Sequence, residues 1–183
     1  MSHIGRRVHD RAILDALENR EAIPFKGEVW RVTRAGVDPL RGSNAPGRWS
    51  PSGEFVLYTS CERDGAIEEI GYRLSLEPVW PSRLKHELHE LAAATKRTLR
   101  FADVAALEPL GVNAARYGSF AYEATQAIAA AAHFLGFDGL LVPNARFPCA
   151  NLVVFVDDTK PPLTLKKSEA IDWTTWRKKK GLI

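Results

Sequence analysis

Hydrophobic and polar positions along the first half of the chain alternate between the spacing of helices and the spacing of strands. Residues 8–19 have the pattern of a short amphipathic helix, and residues 28–34 alternate apolar and polar side chains as a half-buried strand does. Residues 55–59 predict a second strand. Residues 63–74 predict a second helix, with Asp64 as its candidate N-terminal cap. The first half is therefore predicted to mix α and β structure.

The second half of the chain continues this mixed pattern. Its predicted segments, in chain order, are a helix at 81–95, a weak strand at 97–101, a helical turn at 103–107, an alanine-rich helix at 122–135, strands at 138–142 and 151–156, and a strand at 163–166 before a Trp-containing turn. No segment repeats at a fixed period. We therefore predict a single α+β domain with a mixed β-sheet core and flanking helices.

The composition is typical of a soluble globular protein and gives no sign of a membrane span. The chain has 183 residues, of which 45% are hydrophobic and 26% are charged. The apolar stretch at 127–137 is interrupted by His133 and Gly136 and is shorter than the ~18 residues that a bilayer requires. The first twelve residues lack the apolar segment of a secretory signal. We therefore expect a cytoplasmic protein without a membrane partner.

Charge is concentrated at the C-terminal end. The formal net charge is +3, and residues 160–183 contain seven lysines and arginines against two acidic residues, so the rest of the chain is nearly neutral. A nucleic-acid surface that covers the whole domain is therefore not expected. The basic end, with Trp173 and Trp176, keeps an alternative open, a noncatalytic binding protein that contacts nucleic acid or a protein partner through this tail.

Histidines and cysteines give only a weak signal for a metal site. His86 and His89 share one face of the predicted helix at 81–95, and the string HELHE around them resembles a zinc-protease motif. The spacing is one residue short and the pattern offers no third ligand, while Cys61 and Cys149 have no paired spacing. We therefore predict a solvated helix face for the two histidines and expect no metal.

Two arginines, a tyrosine and a glutamate form a better candidate for chemistry. They are Arg31 on the first predicted strand, Arg48 in the Gly- and Pro-rich loop at 35–53, Tyr58 on the second strand and Glu69 on the second helix. Guanidinium groups bind phosphate or carboxylate in a bidentate manner, and a tyrosine ring stacks on planar groups. Spacing alone leaves open the alternative that these are separate surface residues.

Several motifs, taken together and in order, resemble the RES-domain toxins. They are Trp30-Arg31, GRWSPSG at 47–53, VLYTS at 56–60, AIEEI at 66–70, GFDGLLVPNAR at 136–146 and NLVVF at 151–155. The match covers residues 28–157, and the ordered combination is far more specific than any single motif. The resemblance divides the chain into an N-terminal helical lead-in at 1–27, a RES core at 28–157 and a basic extension at 158–183 packed on the core or trailing from it.

The resemblance implies a toxin of a type II bacterial toxin–antitoxin pair that consumes NAD+, with a fold that resembles ADP-ribosyltransferases. By position, the family arginine falls on Arg31, a second arginine on Arg48, the aromatic residue on Tyr58 and the glutamate on Glu69. The family serine falls on Asn144, and an amide cannot act as a hydroxyl nucleophile or proton relay. Ser119 is an alternative source of a nearby hydroxyl.

NAD+ chemistry gives each of these positions an expected role. Cleavage between nicotinamide and ribose places positive charge on the ribose, which the Glu69 carboxylate would stabilise. Arg31 and Tyr58 complete the predicted catalytic set. The predicted NAD+-binding residues are Arg31, Arg48, Trp49, Tyr58 and Asn144, with the arginines on the phosphates and the rings on nicotinamide or adenine.

The acceptor of the ADP-ribosyl group stays open at this point. Water would make the protein an NAD+ glycohydrolase, phosphate would make it a phosphorylase, and a protein side chain would make it an ADP-ribosyltransferase. The resemblance also implies a helix-turn-helix antitoxin that covers the active site, so that nucleic acid is contacted only indirectly through this partner. A target protein for ADP-ribosylation and a toxin homodimer are the other partners that it allows.

Overall fold

Six strands form one mixed sheet in the computed structural model, which describes residues 8–51, 53–156 and 160–183. The strands are β1 Ile23–Arg34, β2 Val56–Ser60, β3 His86–Arg100, β4 Gly139–Pro143, β5 Ala150–Phe155 and β6 Leu163–Ala170. Their order is β1-β2-β5-β4-β3-β6, and β1 also pairs with β3, so the pairings form a closed circuit with β6 added beside β3. Only β3 and β4 run parallel.

Four α-helices and two 3₁₀ segments accompany the sheet in the described part of the chain. They are α1 Arg11–Glu18, α2 Arg63–Ser75, α3 Glu123–Phe134 and α4 Trp173–Lys179, with the 3₁₀ segments at Ala105–Leu110 and Ala114–Arg116. Asp10 caps α1 through its side chain. The N-cap of α2 is Glu62, so the prediction that Asp64 caps this helix is wrong, and Asp64 lies in the first turn. None of the described helices combines the length and apolar character that crossing a bilayer demands.

The core lies on both sides of β5, which explains the unbroken apolar run in its sequence. Val153 belongs to a cluster with α1, α3 and the 3₁₀ segment at Ala105–Leu110, whereas Leu152 and Val154 belong to a second cluster with β1 and β3. Side chains that alternate along a strand thus meet apolar partners on either face. The prediction of an α+β domain with a mixed sheet and flanking helices is confirmed at this level.

The predicted helix at 81–95 is wrong, because this segment forms most of strand β3. Along β3 the buried positions include Leu91, Ala93 and Thr95, which follow the period of a strand. The backbone pairs with β1 from Arg34 to Ile23 and with β6 on the other edge. Residues such as Leu, Ala, Glu and Lys favour helices locally, but two strand partners and burial outweigh that preference. The weak strand predicted at 97–101 is the end of the same element.

This change of element also alters the environment of the two histidines. His86 and His89 are buried rather than solvated. His86 accepts a hydrogen bond from the indole Nε1 of Trp173 at 3.1 Å, and the His89 ring lies between Thr33 Oγ1 at 2.8 Å and Ser168 Oγ at 2.7 Å. Three positions apart on a strand, they point to opposite faces, so they cannot share a metal in the way the predicted helix face suggested.

The basic C-terminal end packs against the rest of the domain within the described residues 160–183. β6 pairs with β3, and α4 lies against α2, where Trp176 Nε1 donates to Glu68 Oε1 at 3.2 Å and Lys180 pairs with Glu68 at 2.7 Å. Trp173 and Trp176 belong to an apolar cluster with Trp80. These rings are therefore not a free stacking surface for nucleic acid. Residues 1–7 of the predicted lead-in and the junction 157–159 lie outside the described residues.

Gly71 permits the close approach of α4 to α2, because a Cβ at this position would collide with the Trp176 ring. We expect Gly71→Ala to lower the free energy of unfolding by about 1–3 kcal/mol, the usual cost of overpacking. Urea denaturation measures this change, with Ser75→Ala on the exposed side of the same helix as the control. Equal stability of Gly71→Ala and the parent would show that α4 does not pack in this way.

Candidate active site

A cavity of about 340 Å³ lies between β1, β2, α2 and the loops that follow β1 and β4. Its volume is within the range of small-molecule sites. The charged residues that line it are Arg31, Arg48, Glu69, Arg73 and Arg146, and Tyr58 also borders it. The residues that the sequence joined as a candidate constellation, Arg31, Arg48, Tyr58 and Glu69, therefore line one cavity. Their proposed roles toward NAD+ remain predictions.

Glu69 presents a carboxylate from the middle of α2. Its Oε1 accepts a hydrogen bond from Asn151 Nδ2 at 3.1 Å. Burial raises the pKa of Glu69, while the Asn151 hydrogen bond and the nearby guanidinium groups of Arg73, Arg48 and Arg146 act in the opposite direction. The carboxylate is thus half-buried in the cavity and held among groups that favour its ionised form.

Arg31 lies on β1 and lines the cavity, where main-chain oxygens hold its guanidinium in place. Its guanidinium donates to Tyr58 O at 3.0 Å and to Arg41 O at 3.2 Å. Burial lowers its pKa to about 10, with Asp38 opposing the change, so the group remains cationic at neutral pH. A guanidinium has five N–H donors, and these two bonds leave others for an anionic ligand.

Arg48 is held between two tyrosine rings. Its guanidinium lies 4.7 Å from the centroid of Tyr117 and 4.9 Å from that of Tyr122. It also donates to Tyr117 O and, at 3.2 Å, to Ser119 O. Burial lowers the pKa of Arg48. The Ser119 hydroxyl accepts from Ala121 N at 3.3 Å, which gives it a role in the turn before α3.

Tyr58 fixes the loop that carries Arg48. Its hydroxyl accepts from Trp49 N at 2.8 Å and lies 3.0 Å from Ser50 Oγ. A Cβ at Gly47 would come within 2.9 Å of this hydroxyl, so the loop needs glycine there. The Trp49 side chain is 1% exposed and packs in the core. Trp49 also borders the cavity, and its role toward NAD+ remains a prediction.

Asn144 lies behind the cavity wall instead of lining the cavity. It is 9% exposed, and both ends of its amide bind protein groups. Oδ1 accepts from Arg146 N at 2.7 Å and Phe147 N at 3.0 Å, while Nδ2 donates to Asn151 Oδ1 at 2.9 Å. Asn151, which does line the cavity, stands between Asn144 and Glu69. The direct contact of Asn144 with NAD+ is thus not supported by its position.

Arg146 and Arg73 add cationic groups that the sequence did not single out. Arg146 places its guanidinium 3.6 Å from the centroid of the Tyr72 ring and donates to Gly118 O. Arg73 follows Glu69 by one turn of α2. Arg146 ends the string GFDGLLVPNAR, and Asn151 begins the string NLVVF as a polar residue in front of an apolar run. Their positions within the family motifs were the sequence signals that could have identified Arg146 and Asn151 as site residues.

Comparisons with known proteins agree with this fold and with these motifs. The chain is 34% identical over 152 residues to a protein of Mycobacterium tuberculosis (strain ATCC 25618 / H37Rv) named as probable NAD(+) phosphorylase Rv3189, covering 79% of this chain and 71% of the relative. The crystal structure of the M. tuberculosis MbcT–MbcA toxin–antitoxin complex contains a chain that matches with a TM-score of 0.80 and 22% identity, covering 92% of this chain and 97% of that one. The likeness to ADP-ribosyltransferases stays a prediction. The sequence model of the RES domain matches residues 28–177, and the chain therefore belongs to the RES domain family.

Proposed function

We propose that this protein is an NAD+ phosphorylase, which cleaves the nicotinamide–ribose bond of NAD+ and transfers the ADP-ribosyl group to inorganic phosphate. The observation that carries the proposal is the Glu69 carboxylate, which lies in a cavity whose other charged lining residues are arginines. The relative named as a probable NAD(+) phosphorylase supports the choice of phosphate as the acceptor.

The bond that breaks needs no acid from the protein. The electron pair of the C1″–N bond goes to the pyridinium nitrogen, so nicotinamide leaves as a neutral molecule. Positive charge then develops on the ribose, as it does in glycoside cleavage. The ionised Glu69 carboxylate stabilises this charge and orients the ribose hydroxyls. A phosphate oxygen forms the new bond to C1″, which gives ADP-ribose 1″-phosphate.

The arginines exceed what NAD+ alone requires. NAD+ carries two negative charges on its diphosphate and one positive charge on its nicotinamide ring, whereas the cavity sets four arginines against one glutamate. We assign Arg31 and Arg48 to the diphosphate, because these two line the cavity and also fall on the arginine positions of the family motifs. Arg73 and Arg146 then remain for the acceptor phosphate, since an anionic co-substrate balances the remaining charge.

We also propose that the protein is the toxin of a type II toxin–antitoxin pair. A cell that contains an NAD+-consuming enzyme must hold it inactive, and the chain with the same fold comes from a toxin–antitoxin complex. The proposed antitoxin has a helix-turn-helix domain, covers the mouth of the cavity and links the complex to nucleic acid. We propose that the protein acts in the cytoplasm, which supplies both NAD+ and phosphate. We also propose that two copies of the toxin form a homodimer.

The acceptor is tested by incubating the purified protein with NAD+ labelled in the adenylate phosphate, with and without inorganic phosphate. We expect nicotinamide and ADP-ribose 1″-phosphate in equal amounts, and a rate that rises with phosphate concentration. Chromatography separates this product from free ADP-ribose, and gel electrophoresis reveals labelled protein. Free ADP-ribose at a rate independent of phosphate, or label on a protein, would replace the phosphorylase by a glycohydrolase or an ADP-ribosyltransferase.

A further inference from the structure

We propose that Asn144 and Asn151 form a relay of two amides that positions the Glu69 carboxylate. The relay is the chain of hydrogen bonds from Asn144 Nδ2 to Asn151 Oδ1 at 2.9 Å and from Asn151 Nδ2 to Glu69 Oε1 at 3.1 Å. The inference rests on the proposed function in that it gives Glu69 its catalytic importance. Asn144 is then a positioning residue, which acts on Glu69 through Asn151 and does not itself line the cavity.

The orientation of both amides is fixed by two main-chain donors. The N–H groups of Arg146 and Phe147 both point at one end of the Asn144 amide, which must therefore be its oxygen. The NH₂ end of Asn144 consequently faces Asn151 and requires an acceptor there. Asn151 must present its own oxygen to Asn144, so its NH₂ group is turned toward Glu69. Each bond in the relay thus determines the direction of the next.

Close packing keeps the relay short. The Nδ2 atom of Asn144 lies 3.5 Å from the carbonyl oxygen of Gly65, in the first turns of the helix that carries Glu69. A Cβ at Gly65 would meet Ser60 Oγ and Cys149 Sγ at 2.5 Å and Asn144 Nδ2 at 3.3 Å. Only a glycine lets α2 approach the loop between β4 and β5 this closely, and this approach brings the asparagines within reach of Glu69.

The relay has two consequences for the site. It occupies Oε1 of Glu69 with a donor and leaves Oε2 for the ribose. The opposite end of Asn144 holds the N–H of Arg146, so one side chain sets both the carboxylate and the turn that carries a cavity arginine. A serine has a single hydroxyl close to the backbone and cannot span both groups. The asparagine at this position therefore makes two contacts that the family serine could not make together.

The relay also affects the ionisation of Glu69. A hydrogen bond donated to the carboxylate favours its ionised form, so loss of the Asn151 donor raises the pKa of Glu69. The other titratable and charged groups that act on Glu69 or feel its charge are Arg73, Arg48, Arg146, Tyr58, Tyr117 and Cys149. All of these side chains remain in Asn144→Ala and Asn151→Ala, and Asn151→Ala also keeps the bond from Arg146 N to Asn144 Oδ1. A rise in the pKa of Glu69 in Asn151→Ala therefore reports the relay and not a change in the turn that carries Arg146.

The test is a double-mutant cycle of Asn144→Ala and Asn151→Ala, with the Glu69 carboxyl followed by NMR titration of protein labelled with ¹³C at glutamate. We expect the pKa of Glu69 to rise in both single variants, and to rise no further in the double variant, because both changes break the same relay. For NAD+ turnover we expect kcat to fall about tenfold in each, KM for NAD+ to stay near that of the parent, and the acid limb of the pH profile to move to higher pH.

Controls separate the relay from folding and from the proposed function. Asn113→Ala changes an exposed asparagine and should leave the pKa of Glu69 and the turnover unchanged. Asn144→Ser serves if Asn144→Ala does not fold, with the same direction and a smaller size expected. An unchanged Glu69 pKa in folded single variants, or effects that add fully in the double variant, would overturn the relay. If the variants shift the pKa of Glu69 as expected but the parent protein does not cleave NAD+, the relay stands and the proposed function is refuted.

Discussion

Glu69→Gln is expected to reduce the rate of NAD+ cleavage by about 10²-fold or more. The amide keeps the size and the hydrogen-bonding shape of the carboxylate but carries no charge, so the positive charge that develops on the ribose loses its support. Burial raises the pKa of Glu69, so the parent enzyme should also lose activity at mildly acidic pH as this carboxylate becomes protonated. Steady-state release of nicotinamide measures both effects.

Glu68→Gln is the matched control for this prediction. Glu68 precedes Glu69 on the same helix, but it faces α4, where it accepts from Trp176 and pairs with Lys180. A glutamine still accepts the indole hydrogen bond, so we expect turnover close to that of the parent and at most a small loss of stability. Near-normal turnover in Glu69→Gln beside impaired turnover in Glu68→Gln would show that the catalytic carboxylate was assigned to the wrong residue.

Arg31→Ala is expected to weaken NAD+ binding by about 10- to 100-fold in Kd. Hydrogen bonds from a guanidinium to phosphate are charge-assisted, and each contributes about 1.5–3 kcal/mol. Arg31→Lys should restore only part of this affinity, because an ammonium lacks the planar fork. Arg48→Ala should act in the same direction. Isothermal titration calorimetry in the Glu69→Gln background, where NAD+ survives the titration, measures Kd directly.

Arg34→Ala provides the comparison for the arginine variants. Arg34 lies on the same strand as Arg31 but is exposed and does not line the cavity. Its replacement should leave the Kd for NAD+ unchanged. Folded Arg31→Ala and Arg48→Ala proteins that bind NAD+ as tightly as Arg34→Ala would remove both arginines from the phosphate site.

The sequence predicted the type of element that carries three of the candidate site residues, because the spacing of apolar and polar residues follows the period of a helix or a strand. Arg31, Tyr58 and Glu69 each fall on an element whose type was predicted correctly, a strand, a strand and a helix. The alternation of a strand then determines which residues face one side of the sheet. The family resemblance supplied what spacing lacked, namely that these distant elements meet at one cavity.

Other features could not be read from local sequence, because contacts distant in the chain decide them. The segment that forms β3 contains good helix formers, and only its pairing with β1 and β6 makes it a strand. Trp49 and Arg48 are neighbours in one motif, but the motif does not say which side chain faces the core. Likewise, the hydrogen bond from Asn151 to Glu69 joins residues of β5 and α2 that are far apart in the chain, so no local pattern indicates it.

The catalytic role of Glu69 is best tested by a crystal structure of Glu69→Gln with NAD+ bound. We expect intact NAD+ in the cavity between β1, β2 and α2, with its diphosphate on Arg31 and Arg48 and C1″ of the nicotinamide ribose beside the side chain at position 69. NAD+ found at another surface, or in this cavity with its nicotinamide ribose away from position 69, would show that Glu69 does not stabilise the ribosyl charge.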